Sequence, residues 1–307
     1  MRTTFIEMLC RLAETDERLW LLTADLGYSV LERFARSFPG RFVNVGVAEQ
    51  NMIGLAAGLA HSGKIPFVYS IANFPTFRCL EQIRNDVCYH AANVKIVAVG
   101  GGLVYGAQGY THHGVEDLAV MRVLPGMTVL APGDPVEAGL ATKAAARWSG
   151  PCYLRLGKAN EPKVHEQEPF FEIGKAIWVR PGRDLTFVST GGMLSQALTT
   201  AQQLSQQGIE AQVLSMPTIK PIDAEAIIRA ARQTGIIISV EEHSVTGGLG
   251  TAIADLLAQV ALPSVRLIKF GLPDRVNHRI GSQSYLRDLA GNLLITASEL
   301  ARHRHAA

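Results

Sequence analysis

Little of this 307-residue chain is charged, and neither sign prevails. Charged residues make up 18% of it, with 29 Lys and Arg against 27 Asp and Glu. A formal charge of +2 leaves no electrostatic footprint for nucleic acid or for an acidic membrane surface. Cysteine is equally scarce: Cys10, Cys79, Cys88 and Cys152 stand apart, without a CxxC or Cys/His metal spacing, and read as reduced thiols. No stretch approaches the roughly 18 uninterrupted apolar residues of a membrane span. The opening MRTTFIEMLCRLAETDERLW carries acidic residues and no apolar core of signal-peptide length, so a cytoplasmic location is expected. Low-complexity tracts and obvious internal repeats are missing too.

What the chain does have is apolar residue, 48% of the total, in a length that suits two domains of ordinary size. Apolar, β-branched runs recur: LWLLTA at 19–24, IPFVYS at 65–70, VKIVAV at 94–99, MTVLAP at 127–132 and CYLRL at 152–156. Such runs are buried-strand signals. Helical patterns fill the gaps, among them Glu49 to Ala60 and Phe77 to Ala91, and Asp134-Pro135 offers an N-cap followed by proline in a first turn. A second block repeats the alternation, with LTFVST at 185–190, AQVLSM at 211–216, GIIISV at 235–240 and SVRLIKF at 264–270. Between the blocks, KANEPKVHEQEPFFEIGKAIWVRPG is rich in charge and proline and reads as a connection. The fold class expected is α/β, two doubly wound domains with mostly parallel sheets, over 1–157 and 181–307 with a linker at 158–180. Ligands in such sheets sit at the carboxyl ends of the strands.

Composition and pattern name no reaction, but particular motifs do. Gly46-Val47-Ala48-Glu49-Gln50-Asn51 resembles the glutamate motif of the transketolase superfamily of thiamine-diphosphate enzymes. The likeness continues in order through Leu80-Glu81-Gln82-Ile83-Arg84, Gly106-Ala107-Gln108-Gly109-Tyr110-Thr111-His112-His113, Glu116-Asp117-Leu118-Ala119 and Pro132-Gly133-Asp134. In the second block, Glu241-Glu242-His243 followed by Gly247-Gly248-Leu249-Gly250 is similar to the family's C-terminal domain. The resemblance spans nearly the whole chain and implies a pyrimidine-binding domain followed by a smaller transketolase C-terminal domain.

By that resemblance, Glu49 hydrogen-bonds the cofactor's aminopyrimidine and promotes its proton transfer, and His112 is the second catalytic group, facing the reacting carbon and its oxyanion. Phe74, or else Phe77, supplies the flat apolar wall on which the pyrimidine stacks. Asp25 matches a family aspartate near the cofactor. Substrate contacts fall to His112, His113, Gln108, Arg155 and Arg2, the two guanidiniums being suited to a phosphate. Gln108 stands where transketolases usually have an aspartate, and Gly100-Gly101-Gly102 replaces a substrate histidine, so the sugar is left open. Members of the family hold the diphosphate through Mg²⁺ on a Gly-Asp-Gly motif, and none occurs here. The expectation is therefore the C-terminal subunit of a split transketolase, active only with an N-terminal subunit that binds Mg²⁺ and the diphosphate, assembled as a two-fold heterotetramer. A 2-oxo-acid dehydrogenase beta subunit and a non-catalytic assembly subunit are the alternatives.

Overall fold

A computed structural model describes residues 1–260, 262 and 265–305 of the chain, with side chains through residue 301. Ser264, where the predicted strand SVRLIKF opens, and the last two residues of the predicted second domain lie outside the described part.

Twelve strands follow one another as β1 Leu19–Thr23, β2 Phe42–Asn44, β3 Ile65–Ile71, β4 Lys95–Val99, β5 Thr128–Leu130, β6 Cys152–Leu156, β7 Ile177–Arg180, β8 Leu185–Ser189, β9 Ala211–Ser215, β10 Thr218–Lys220, β11 Ile236–Ser244 and β12 Arg266–Leu272. They form two sheets, in the order β10-β5-β6-β4-β3-β1-β2 and β12-β11-β8-β9-β7. Only the β10/β5 and β7/β9 pairs are antiparallel, so the expected α/β architecture of two mostly parallel sheets is the one observed. All nine strands read from apolar runs are present. The three that sequence reading misses, β2, β7 and β10, are edge strands of three or four residues, too short to show an apolar run.

Alternation along the strands divides the first core into two layers, because successive side chains point to opposite faces. Val68, Ile96 and Ala98 pack under the helices Glu49–His61 and Asp117–Val123, while Phe67, Tyr69, Val97 and Val99 pack under Arg2–Ala13 and Pro135–Arg147. In the helix Glu49–His61 the buried set Met52, Ile53, Ala56 and Ala57 keeps the three- and four-residue spacing of one face. The helix starts with an acidic residue at its positive end and stops before Gly63, whose φ of +81° leaves the helical region. This is what carries Glu49 to the carboxyl-end crevice of the sheet.

The predicted helix from Phe77 to Ala91 is interrupted. The chain makes one short turn at Asn73–Thr76, bends through Phe77 to Cys79, and resumes as Leu80–Gln82 and a π-helical stretch Ile83–Cys88. The bend leaves Phe77 and Arg78 exposed, and the widened turn keeps Ile83, Val87 and Cys88 in the core. The two halves of the chain are not independent, since β10 leaves the second block to extend the first sheet beside β5. Among the described residues no helix is long and apolar enough to cross a membrane. The four cysteines are free and buried.

Candidate active site

Glu49 is 2% exposed, and its Oε2 accepts a 2.7 Å bond from Nη1 of Arg78, whose side chain is 47% exposed. The same guanidinium lies over the ring of Phe74, 4.7 Å from its centroid. A flat group carrying N–H donors thus spans a carboxylate and an aromatic face, which is the contact set an aminopyrimidine would need. The residues present fit such a ring. Phe74 is half-buried and meets the imidazole of His112 edge-on at 5.4 Å, whereas Phe77 is 43% exposed and enters no ring contact among the described residues. The structure brings Glu49, Phe74 and His112 to one place and leaves Phe77 on the outer side of the bend.

The loop after β4 holds His112 in position. Thr111 Oγ1 lies 3.0 Å from His112 Nδ1, and Asn73 Nδ2 donates to the Thr111 carbonyl at 3.1 Å, tying the loop to the turn that carries Phe74. Tyr105 lies 6.3 Å from the His112 ring, and the ammonium of Lys158 stands 5.0 Å from the centre of the Tyr105 ring. The glycines that replace a histidine here have a physical reason. Gly100 has a φ of +77°, and a Cβ on it would collide with Tyr105, while one on Gly101 would collide with Nε of Arg155. Tyr105 fills the space that a larger residue would need.

The remaining sequence candidates spread around this centre. Arg2 lies close enough to Tyr69 and Tyr105 for its charge to oppose the burial that raises both phenols' pKa. Gln108 is exposed, in the short turn Gly106–Gln108. His113 is 1% exposed, its Nε2 is 3.4 Å from the Gly106 carbonyl, and burial lowers its pKa. Asp25 is exposed with a φ of +54°, and its Oδ1 accepts from the Tyr28 hydroxyl at 2.7 Å and from Asn44 Nδ2 at 3.3 Å.

Arg155 is only 4% exposed and is engaged on several sides. Its Nε donates to Asp117 Oδ2 at 2.9 Å, and its Nη2 donates to the carbonyls of Gly114 at 2.6 Å and Glu242 at 3.0 Å. Tyr153 completes the Asp117 site with a 2.6 Å bond to the same oxygen. The guanidinium therefore joins β6, the turn behind His113 and β11 of the second domain, along the wall of an interdomain cleft of about 540 Å³. Beside it Glu242 takes a two-pronged bond from Arg287, both arms 2.9 Å. Glu241 receives the amides of Leu249 and Gly250 at 2.7 and 2.8 Å, and burial pushes its pKa up to about 7. His243 accepts from the Ala119 amide, lies 2.7 Å from the Ser244 carbonyl through Nδ1, and is lowered by burial to about 4. The Glu-Glu-His motif thus serves the contact between domains.

Among the described residues, one acidic and histidine cluster has the compactness of a cation site: Asp134, Glu137 and His165, all buried. Its oxygens are already bonded. Asp134 accepts the amides of Glu137, Val164 and His165 at 2.8, 2.8 and 3.0 Å, and Glu137 accepts the Gly133 amide at 2.6 Å and lies 2.7 Å from His165 Nε2. The expected N-cap is there, and it also pins the linker. These carboxylates do not fit a diphosphate-bound Mg²⁺, which prefers carboxylates combined with phosphate oxygens.

Sequence reasoning missed Arg78, Tyr105 and Lys158. The signal for Arg78 was weak, an arginine one residue past a candidate phenylalanine. Lys158 follows Arg155 just beyond the strand, and only the fold shows that it meets the ring of Tyr105.

Residues 1–163 match the family described as transketolase, pyrimidine binding domain, and residues 174–291 match transketolase, C-terminal domain. The chain is 39% identical over 306 residues to the 6-deoxy-6-sulfo-D-fructose transketolase subunit SqwH of Clostridium sp. (strain MSTE9), covering 99% of this chain and 93% of that protein. It is 43% identical over 275 residues to one of the subunits of the apulose-4-phosphate transketolase of Phocaeicola vulgatus, covering 89% and 87%. Among solved structures, a split gene transketolase described as an inactive beta4 tetramer superposes with a TM-score of 0.88 at 38% identity, covering 98% of this chain and 96% of that one.

Proposed function

The chain belongs to the transketolase family, and on that premise we propose that it is the C-terminal subunit of a two-chain, thiamine-diphosphate-dependent transketolase. The complete enzyme would move a two-carbon ketol unit from an anionic ketose to an aldose. The observation that carries the reading is the slot between Glu49 and Phe74, bridged by a planar donor and bordered by the His112 imidazole. When bound, thiamine diphosphate supplies a carbon centre that stabilises a carbanion.

This chain's residues would do the rest of the work on its side of the cleft. Glu49 accepts a hydrogen bond from the aminopyrimidine and shares its proton, and Phe74 fixes the ring's plane without competing for hydrogen bonds. With Nδ1 of His112 turned to Thr111, Nε2 is the nitrogen placed to give a proton or hydrogen bond to a substrate oxygen. Arg2 and Lys158, both next to Tyr105, are the cations placed to hold an anionic substrate tail, with Gln108 on the rim. Arg155 acts from behind by holding Gly114 and Asp117. The relatives from Clostridium and Phocaeicola act, by their names, on a sulfo sugar and a sugar phosphate, which supports an anionic substrate here.

No cluster among the described residues fits the diphosphate's Mg²⁺, so a partner chain supplies that site. Val47, 76% exposed, and Tyr28, 69% exposed, adjoin Glu49 and Asp25 and give a partner apolar surface to cover. Assembly as a two-fold heterotetramer follows from the same division of the cofactor. The test is reconstitution. This chain, an N-terminal transketolase subunit, Mg²⁺ and thiamine diphosphate are mixed with a panel of phosphorylated and sulfonated ketoses plus aldose acceptors. Ketol transfer is the expected result, and no transfer across the panel, with pyruvate-dependent acylation instead, would overturn it.

A further inference from the structure

Arg78 touches both walls of the slot. Its Nη1 lies 2.7 Å from Glu49 Oε2, and its guanidinium carbon lies 4.7 Å from the centre of the Phe74 ring. A pyrimidine stacked on that face of Phe74 and bonded to that oxygen needs the volume Arg78 fills. Carbon atoms of stacked rings pack at about 3.5–4.0 Å, so the two cannot share the face. We infer that Arg78 is a built-in competitor for the pyrimidine slot, which the cofactor's ring has to displace and which thereby sets cofactor affinity.

The inference rests on the reading of Glu49 and Phe74 as the pyrimidine-binding pair, and three further observations support it. Glu49, 2% exposed, has no hydrogen-bond partner besides Arg78 among the described residues. A buried carboxylate without a partner is strongly disfavoured, so something must sit on it whenever a ring does not. Arg78 is well suited to leave, because it reaches the slot from the exposed part of the bend, Phe77 and Arg78, on a long flexible stem and is itself 47% exposed. Its backbone is held separately, by a 3.1 Å bond from Gln50 Nε2 to the Arg78 carbonyl, so the side chain can swing out while the bend stays.

The rival geometry keeps Arg78 on Oε2 while the ring takes Oε1, and it has the opposite consequence. Arg78 would then assist cofactor binding. Arg78→Gln separates the two in the assembled complex with Mg²⁺, titrated with thiamine diphosphate and followed by calorimetry or fluorescence quenching. Removing a half-exposed ion pair and its cation–π contact should tighten binding by about 3- to 30-fold. Arg78→Lys, which keeps the charge but not the planar fork, should fall between. Affinity that is unchanged or weaker in Arg78→Gln overturns the inference and leaves the functional reading intact. An unmodified complex that does not bind the cofactor at all overturns both. A second measurement needs no variant: dicarbonyl labelling of Arg78 should rise when cofactor is added, and protection of Arg78 would contradict displacement.

Discussion

At the scale of single residues, the account turns on what each side chain already contacts. Glu49→Gln keeps the size of the side chain but removes the charge to which we assign proton sharing with the pyrimidine. Turnover of the reconstituted enzyme should fall by about 10²- to 10⁴-fold with assembly unchanged by sedimentation. Full activity would favour a non-catalytic assembly role. Phe74→Ala should weaken cofactor binding by about 2- to 12-fold, the worth of one aromatic contact, while Phe77→Ala should leave it within about twofold. Arg155 belongs to a different class. Truncating it to Met would leave the buried Asp117 charge with only the Tyr153 hydroxyl, at a cost of about 3–5 kcal/mol, so the sign to look for is a large fall in melting temperature. Unchanged stability with a raised substrate KM would instead make Arg155 a substrate contact. Motifs singled out Glu49, Phe74 and His112, which the fold brings to one place. Sequence reasoning could not see that Arg155 turns inward to β11, that Arg78 reaches Glu49, or that Lys158 meets Tyr105, because those contacts join residues well separated in the chain.

At the scale of elements, the same limit applies to what was legible in the fold. Strands buried on both faces declare themselves as apolar runs, which is why β3, β4 and β8 could be read directly. Short edge strands do not, and β10 least of all, since its place in the first sheet depends on the linker folding back. One side chain anchors two amides of that linker. Asp134 caps the helix Pro135–Arg147 and also takes the amides of Val164 and His165. Asp134→Ala should therefore lower stability by more than a cap alone, about 1–3 kcal/mol, measured by denaturant titration. A loss near zero would show that the linker is held elsewhere.

At the scale of the whole molecule, the contact between domains is a place where pH should be felt. His243, lowered to about 4 by burial, resists protonation in the folded chain. A depressed histidine contributes stability that is full above its unfolded value near 6.5 and is lost as pH falls through the folded value. Unfolding free energy should drop between about pH 6.5 and pH 4, and the drop should be shallower in His243→Gln, by an amount on the order of a few kcal/mol. An identical pH profile in the two proteins would remove His243 from the explanation.

The proposed division of the cofactor between two chains is the claim on which the functional reading depends. Titrating thiamine diphosphate and Mg²⁺ into this chain alone, into the N-terminal subunit alone and into their mixture tests it most directly. Saturable, tight binding confined to the mixture is the expected result. Equally tight, Mg²⁺-dependent binding by this chain alone would contradict it.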